Sequence, residues 1–192
     1  MSDVNKIKQS VADSLAAVES LKACAGTIAA AGDGIVAALK AGNKVLTAGN
    51  GGSAAEALHM AEELIGRFEA ERVSLPGVAL CADATALTCI GNDYGFEAIF
   101  SRQVEGLGKP GDVLVLFSTS GNSRNIIAAL AAARKLGLKT LCLLGRDGGK
   151  LAGQATWEII VPAKATARIQ EAHQVVVHIL LEIIEQAFVR SV

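Results

Sequence analysis

Aromatic residues are scarce in this 192-residue sequence, at 4% against 51% hydrophobic residues overall. A chain of this length can bury a sizeable core, and that core must be aliphatic, built from Ala, Val, Ile and Leu. An excess of charge of either sign is also lacking, because the formal net charge is -1. No global basic field exists to attract nucleic acid, so no nucleic-acid partner is expected.

Membrane and export signals are not evident either. No uninterrupted apolar run approaches the roughly 18 residues that span a bilayer, so no membrane partner is expected. Residues 1–10 are polar and charged, without the apolar region of a secretory signal, which favours a cytoplasmic location. No C-x-x-C pair occurs, and the cysteines are expected to be small, buried and reduced. These are Cys24, Cys81, Cys89 and Cys142.

Short Val/Ile/Leu runs alternate with Ala-rich amphipathic segments, which predicts an α/β fold. We expect helices in 1–40, 54–67, 85–90, 99–107, 125–136 and 169–188, and strands at 44–48, 77–81, 112–117, 139–144 and 157–161. A turn is predicted at 91–93. Continuous apolar strands separated by helices indicate a central parallel sheet covered on both faces, a three-layer α-β-α sandwich of Rossmann-like type. The whole chain, 1–192, is expected to form one domain, with N-terminal helices (1–40) ahead of an α/β core (41–192).

Strand–loop–helix occurs twice, and each loop is suited to an anion. The first loop is Gly49-Asn50-Gly51-Gly52-Ser53 and the second is Ser118-Thr119-Ser120-Gly121-Asn122-Ser123. A helix N-terminus offers unpaired N–H groups and a partial positive charge, and hydroxyls add donors. Ser53 alone is more readily interpreted as an N-cap. The second loop has more hydroxyls than one cap requires, which favours a phosphate ligand.

The first loop also matches the dinucleotide fingerprint G-x-G-x-x-[GA] at Gly49, Gly51 and Ala54. That fingerprint requires an acidic residue about 20 residues further on, at the end of the second strand. Asp83 is the candidate, and it lies too far beyond Ala54. The dinucleotide interpretation also assigns no role to the second loop, so a sugar phosphate is the better hypothesis.

Polar residues recur on two predicted helices. His59 and Glu63 share one helix face, and Gln170, Gln174 and His178 step by four along the closing helix. Each has an ordinary alternative, as a solvated surface residue, a hydrogen-bonded core residue or a subunit contact. Jointly they offer two imidazoles, a carboxylate and an amide oxygen, a plausible donor set for zinc. His173 has no evident task, and exposure to solvent is its simplest interpretation.

These residues fit the interconversion of a ketose and an aldose. The reaction moves a proton between adjacent carbons through an enediol or enediolate, so it needs a base and an acid that work near neutral pH. A metal or a neutral histidine can polarise the carbonyl group.

Five motifs together resemble the bacterial phosphoheptose isomerases, in the sugar-isomerase (SIS) domain superfamily, and the resemblance runs nearly end to end. They are the two loops, His59-x-x-Glu62-Glu63, Gly91-Asn92-Asp93, and Arg168-Ile169-Gln170-Glu171-x-His173 with His178. The resemblance implies conversion of sedoheptulose 7-phosphate to D-glycero-D-manno-heptose 7-phosphate. This step opens ADP- or GDP-heptose biosynthesis for lipopolysaccharide or other glycans. It also implies a homotetramer with sites at subunit interfaces.

The resemblance further implies residue roles. His59, Glu63, Gln170 and His178 match the ligands of a Zn²⁺ ion, one per subunit, with Glu63 as base and His178 as acid. The positions matching substrate contacts are Asn50, Gly51, Gly52, Ser53, Glu63, Asn92, Asp93, Ser118, Thr119, Ser120, Ser123 and Gln170. One position departs from the pattern, since Ala167 stands where some relatives have Asp, and no role of that Asp carries over.

Two alternatives remain open at this point. One is a non-catalytic SIS-domain regulator that binds a replication initiator protein. The other is an isomerase or lyase for another sugar phosphate, because such loops recognise phosphate and polyol without counting carbons.

Overall fold

A computed structural model describes residues 3–189 of the chain. Within this range seven α-helices and five β-strands follow one another: α1 (Val4–Glu19), α2 (Ala25–Lys40), β1 (Val45–Gly49), α3 (Gly52–Ile65), β2 (Gly77–Ala79), α4 (Ala84–Tyr94), α5 (Ser101–Leu107), β3 (Val113–Ser118), α6 (Arg124–Lys135), β4 (Lys139–Gly145), β5 (Trp157–Val161) and α7 (Thr166–Phe188). Short 3₁₀ turns lie at Ser20–Cys24, Phe96–Ala98 and Gly149–Leu151.

The five strands form one parallel sheet in the order β2-β1-β3-β4-β5. β1 pairs with β2 on one side and with β3 on the other. The chain therefore runs from β1 to β2 at one edge of the sheet, and then crosses to β3 and continues through β4 to β5 at the other edge. Such a reversal opens a crevice at the carboxyl ends of the two central strands, where open α/β sheets bind ligands. Both predicted anion loops lie at this crevice.

Helices cover both faces of the sheet, which confirms the predicted three-layer α/β sandwich. Alternate residues of β3 point to opposite faces: Val115 and Phe117 pack with α2, α3 and α7, whereas Leu114 and Leu116 pack with α5 and α6. The buried clusters on both faces are mainly aliphatic, as the composition predicts.

Helix α2 runs unbroken through Gly32 and Gly34. A Cβ atom at Gly34 would lie 2.2 Å from the Trp157 ring, and one at Gly32 would lie 2.9 Å from the Ile183 side chain. The glycines therefore allow α2 to pack closely against β5 and α7, and tertiary contact outweighs their low helix propensity.

The predicted turn at 91–93 is wrong, because these residues form the last turns of α4. Asp83 caps the start of this helix with its carboxylate, and Gly95, at φ 83°, follows its last residue, Tyr94. Gly, Asn and Asp favour turns, but a strong cap upstream and a glycine stop downstream extend the helix across them.

The N-terminal segment Val4–Lys40, taken as one stretch, is long and apolar enough to cross a membrane by length and composition alone. Its most apolar window has a mean hydropathy of 1.3 and is 33% buried inside the protein. Residues of α2, such as Ile28 and Ile35, belong to the core cluster shared with α7. A core helix packed in this way meets the same criterion of length and hydropathy as a membrane span.

All four cysteines are free, and their burial varies. Cys142 is buried as expected, and desolvation, with a smaller effect of the Glu158 charge, raises the pKa of its thiol to about 12. Cys89 is exposed, which contradicts the expectation of burial, and Cys24 and Cys81 are half-buried.

Candidate active site

The first loop joins β1 to α3 by a glycine turn. Gly51, the N-cap residue, has φ 57°, a left-handed conformation that glycine adopts without strain. No side chain caps this helix, and Ser53 lies inside its first turn with 4% of its surface exposed. Ser53 is therefore not the N-cap, and the N–H groups of Ser53 and Ala54 donate to the carbonyl groups of Asn50 and Gly51 within the loop.

The second loop carries hydroxyls that the fold does not use. Ser118 ends β3, and its Oγ is buried without a hydrogen-bond partner in the described residues. Ser123 occupies the N-cap position of α6, yet its side chain makes no capping bond. Ser120 Oγ accepts a hydrogen bond from the Asn122 N–H at 3.2 Å. Hydroxyls left in this state at a helix N-terminus are suited to an anionic ligand.

The two loops are joined by a pair of amide side chains. Asn50 Nδ2 donates to Asn125 Oδ1 at 2.9 Å, and Asn125 Nδ2 donates to Asn50 Oδ1 at 2.8 Å. Asn125, in the first turn of α6, is only 2% exposed. Sequence reasoning selected Asn50 as a substrate contact and overlooked Asn125, whose partner lies 75 residues away.

Helices α3 and α7 lie side by side, and polar residues follow the line of contact between them. At their N-terminal ends Gln170 reaches the first loop: a Cβ on Gly52 would lie 2.4 Å from Gln170 Nε2. One turn further along α3, Glu56 faces His173. Beyond these, His59 faces Gln174 and His178. His59, Glu63, Gln174 and His178 therefore form one cluster, whereas Gln170 lies two turns earlier on α7, against the first loop.

His59 and Glu63 form the exposed end of this cluster. His59 Nε2 lies 3.2 Å from Glu63 Oε1, and the two side chains are 31% and 18% exposed, so both are accessible to a substrate. The rings of His59 and His178 meet edge to face, with centroids 5.3 Å apart. Phe68 packs on the other side of His178 with a centroid distance of 5.6 Å.

Gln174 links the two imidazoles and is absent from the predicted site. Its Nε2 lies 2.6 Å from His59 Nδ1 and 3.0 Å from His178 Nε2. An amide N–H₂ can donate to both nitrogens, which leaves the proton of neutral His59 on Nε2, directed at Glu63. The spacing of four between Gln170, Gln174 and His178 was the available signal, since it places all three on one helix face.

His173 is fully buried, which contradicts its interpretation as an exposed residue. Its Nε2 donates to the backbone oxygen of Leu144 at 3.0 Å, because a carbonyl can only accept. Its Nδ1 lies 3.9 Å from Glu56 Oε2, and Glu56 is itself 6% exposed. His173 lies on the face of α7 whose apolar residues pack into the core, so its imidazole is buried with them.

Asn92 and Asp93 lie at the end of α4 and are exposed. Asn92 Nδ2 donates to Asp93 Oδ1 at 2.7 Å, and Cys89 Sγ lies 3.7 Å from Asp93 Oδ2. Within residues 3–189 neither side chain hydrogen-bonds to the two loops or to the α3–α7 cluster.

His59 and Glu63 fit two ligands of a divalent metal by chemistry and spacing. Two ligands on a tetrahedral zinc ion, with bonds of about 2.0–2.1 Å, are separated by about 3.3 Å. The 3.2 Å between His59 Nε2 and Glu63 Oε1 matches this separation. Exposed Glu62 also offers an oxygen within 4.8 Å of ligand atoms of both residues. The other two predicted ligands lie on α7 outside this group: His178 Nε2 contacts Gln174 at 3.0 Å, and Gln170 lies against Gly52.

The family model described as SIS domain matches residues 8–145, so this parallel sheet of order 2-1-3-4-5 belongs to a SIS domain. Curated relatives named phosphoheptose isomerase include one from a Nitratiruptor species, 53% identical over 80% of this chain and 82% of the relative. Another, from Aquifex aeolicus, is 55% identical over 80% of this chain and 81% of the relative.

Solved structures of the same family superpose closely. A phosphoheptose isomerase from Francisella tularensis has a TM-score of 0.92 at 39% identity, covering 97% of this chain and 100% of that one. The enzyme from Neisseria gonorrhoeae has a TM-score of 0.89 at 40% identity, covering 95% and 98%. The chain belongs to the phosphoheptose isomerases, and this confirms the family, fold and enzyme class that the motifs predict.

Proposed function

We propose that this protein converts sedoheptulose 7-phosphate to D-glycero-D-manno-heptose 7-phosphate through an enediol or enediolate. The observation that supports this best is the His59–Glu63–Gln174–His178 cluster between α3 and α7, together with the first glycine-rich loop at the N-terminus of the same helix α3. The relatives and the close structural neighbours are isomerases, so the alternatives of a non-catalytic regulator and of another sugar phosphate are not favoured.

The second loop binds the phosphate in this proposal. Hydroxyl groups and the N-terminus of α6 supply hydrogen-bond donors without adding a full positive charge. The hydroxyls are those of Ser118, Thr119, Ser120 and Ser123. The first loop, with Asn50, Gly51, Gly52 and Ser53, holds the sugar hydroxyls near the cluster. Asn92 and Asp93, exposed at the end of α4, complete the substrate contacts.

Glu63 acts as the base. Its Oε1 is engaged with His59, while Oε2 has no hydrogen-bond partner in the described residues and is free to meet the substrate. The carboxylate removes a proton from C1 of the ketose, and the electrons of that C–H bond form the C1–C2 double bond. Return of a proton to C2, with loss of the proton from the C1 hydroxyl, gives the aldose.

His178 acts as the acid towards the substrate oxygens. Its Nε2 accepts from Gln174, so in the neutral imidazole the ring proton is on Nδ1. The ring donates from Nδ1 to the oxygen on C2 while Glu63 takes the proton from C1. Phe68 against one side of the ring and His59 against its edge restrict the directions in which it can donate.

We further propose that His59, Glu63, Gln170 and His178 hold one zinc ion per subunit. Bound there, a divalent ion would polarise the substrate carbonyl as a Lewis acid. Metal binding at His59 Nε2 would require the other tautomer, in which His59 Nδ1–H donates to the side-chain oxygen of a turned Gln174 amide, the usual arrangement around metal-bound histidine. Ala167 is exposed in the first turn of α7 and contributes no carboxylate, so the proposed chemistry depends on Glu63 and His178.

The proposed assembly is a homotetramer of single SIS domains with sites at subunit interfaces, in which residues 1–40 contribute to the packing. An apolar stripe on α1 supports this: Val4, Ile7, Val11 and Leu15 are 60%, 55%, 55% and 66% exposed at helical spacing. We propose a cytoplasmic location and a role at the start of heptose synthesis for lipopolysaccharide or other glycans. A mass in solution corresponding to four chains is expected by light scattering, and a stable monomer would contradict the assembly.

Turnover of sedoheptulose 7-phosphate, measured by separating ketose and aldose phosphates, tests the reaction. Glu63→Gln and His178→Gln are each expected to lower kcat by about 100- to 10,000-fold, as loss of a general acid or base does. Glu105→Gln, the same change at an exposed site on α5, serves as the control. An inactive wild type with zinc supplied, or full activity in Glu63→Gln, would reject the mechanism. Loss of activity on chelation and its recovery with zinc, but not magnesium, would support the metal.

A further inference from the structure

The segment after α3, residues 66–73, is held to α7 by a buried carboxylate. Glu185 is 6% exposed and accepts four backbone hydrogen bonds: one from Phe68 at 3.2 Å, two from Glu69 at 3.2 and 3.0 Å, and one from Ala70 at 2.9 Å. A carboxylate that accepts several N–H groups in a row fixes the backbone of that segment. Glu185 therefore fixes the backbone position from which the Phe68 side chain extends.

Arg72, at the end of the same segment, holds the last turn of α3. Its Nη2 donates to the backbone oxygen of Glu63, and its Nη1 lies 3.0 Å from that of Leu64 and 2.9 Å from that of Val73. Arg72 is 7% exposed, and its Nε lies 3.7 Å from Glu185 Oε1. The last carbonyl groups of a helix lack partners within it, and a guanidinium group can bind several of them at once.

Both residues act next to the proposed acid and base without touching the substrate site. Phe68 packs against the His178 ring with a centroid distance of 5.6 Å and an interplanar angle of 32°. Glu63 carries the proposed catalytic carboxylate on the turn that Arg72 holds. We propose that Glu185 and Arg72 are positioning residues, which keep Phe68 against His178 and keep the Glu63 end of α3 in register with α7. This inference rests on the roles proposed for Glu63 and His178.

The buried charges of Glu185 and Arg72 contribute more to the positions of neighbouring groups than to the free energy of unfolding. A buried ion pair often contributes no more to folding than apolar side chains of the same volume, because desolvation offsets its attraction. Two apolar side chains in place of Glu185 and Arg72 could still pack segment 66–73 against α7. They could not hydrogen-bond the three backbone N–H groups and the carbonyl groups that now fix its direction. A catalytic constellation tolerates only small displacements, so this directional control is where the pair contributes.

The test uses the histidine resonances, because the chain has only three histidines. Glu185→Gln keeps the size of the side chain and removes its charge. In the full-length protein with ¹³C-labelled histidine, we expect the ring C–H signals of His178 to shift and those of buried His173 to stay. Glu182→Gln, the same change one turn earlier at an exposed position of α7, is the control and should move neither.

Phe68→Leu provides a second route that leaves the buried charges in place. We expect it to shift the His178 signals as Glu185→Gln does and to lower kcat about tenfold, with KM changed by less than about twofold, since the phosphate loops are untouched. Unchanged His178 signals in Phe68→Leu would overturn the proposal, even if Glu185→Gln fails to fold. Shifted signals with unchanged kcat would also overturn it. If the wild type does not turn over sedoheptulose 7-phosphate, the proposed function fails instead. The His178 resonances then still show whether Glu185 and Phe68 position this ring.

Discussion

Asn50 and Asn125 lie 75 residues apart in the chain, and their side-chain amides exchange two hydrogen bonds of 2.9 and 2.8 Å. Asn50 belongs to the loop after β1 and Asn125 to the first turn of the helix after β3. The pair therefore sets the width of the crevice between the two proposed substrate loops. Loss of Asn50 leaves the buried Asn125 Nδ2 without its acceptor, which costs about 1–3 kcal/mol for a buried polar group, while Asn125 Oδ1 still accepts from the Ile126 N–H.

Asn125→Ala is expected to raise KM for the sugar phosphate about tenfold, with a smaller effect on kcat, because the loops lose their fixed separation. Steady-state kinetics with sedoheptulose 7-phosphate measure both constants. A double-mutant cycle with Asn50→Ala provides the control: the double variant should be little worse than either single one. Strictly additive losses would show that the amide pair does not couple the loops.

Gln174→Ala is expected to lower kcat, or the affinity for zinc, by about 10- to 100-fold, as loss of a residue that orients metal-bound histidine does. The physical reason is that both imidazoles lose the donor that fixes which nitrogen carries the proton. Long-range ¹H–¹⁵N spectra of His59 and His178 should show a change in tautomer. The same substitution at exposed Gln186, on the same helix, should leave kinetics and spectra unchanged. Wild-type tautomers in Gln174→Ala would contradict the assignment.

Gly52→Ala is expected to displace Gln170, because the new Cβ would lie 2.4 Å from Gln170 Nε2. Overpacking of this kind costs about 1–3 kcal/mol unless the neighbouring side chain swings away, and either response disturbs the first loop. We expect a loss in kcat/KM together with weaker zinc binding by calorimetry. Gly26→Ala, on α2 with nothing within 4 Å of the added methyl group, is the matched control and should leave activity unchanged. Equal activity of both variants would mean that Gln170 is not held against this loop.

Asp112 links stability to pH at the amino ends of β1 and β3, the end of the sheet away from the two loops. Burial would raise the pKa of its carboxyl, but hydrogen bonds from the Lys44 side chain and from the backbone N–H groups of Lys44 and Lys109 hold it below the ordinary value. The Lys44 Nζ lies 2.5 Å from Asp112 Oδ2, and the Asp112 side chain is 2% exposed. A lowered pKa means that the folded state favours the carboxylate.

The stabilisation by Asp112 is therefore present above the ordinary aspartate pKa of about 3.9 and is lost as pH falls through the lower pKa of the folded state. Asp112→Asn should lower the free energy of unfolding by about 1–3 kcal/mol at pH 7, with the difference from wild type shrinking in acid. Urea unfolding at fixed protein concentration, from pH 7 to pH 3, measures this. Asp33→Asn, at an exposed site on α2, should show no such convergence, and a constant difference for Asp112→Asn would refute the linkage.

The sequence by itself determined the elements whose signals are local. The predicted strand 157–161 matches β5 residue for residue, and 44–48, 112–117 and 139–144 differ from β1, β3 and β4 by one residue at their ends. Apolar runs and glycine turns within ten residues carry this information. Helical spacing also placed His59 with Glu63, and Gln170 with His178, on single faces.

Tertiary structure decided which partners these residues have. Asn125 bonds across 75 residues, Gln174 reaches His59 across 115, and Glu185 binds the Phe68 N–H across 117. No pattern within a helix or a loop specifies such pairs, because they exist only once α3, α6 and α7 have packed on the sheet. For the same reason the burial of His173 was missed: helical periodicity gives a face, and only packing decides what covers it.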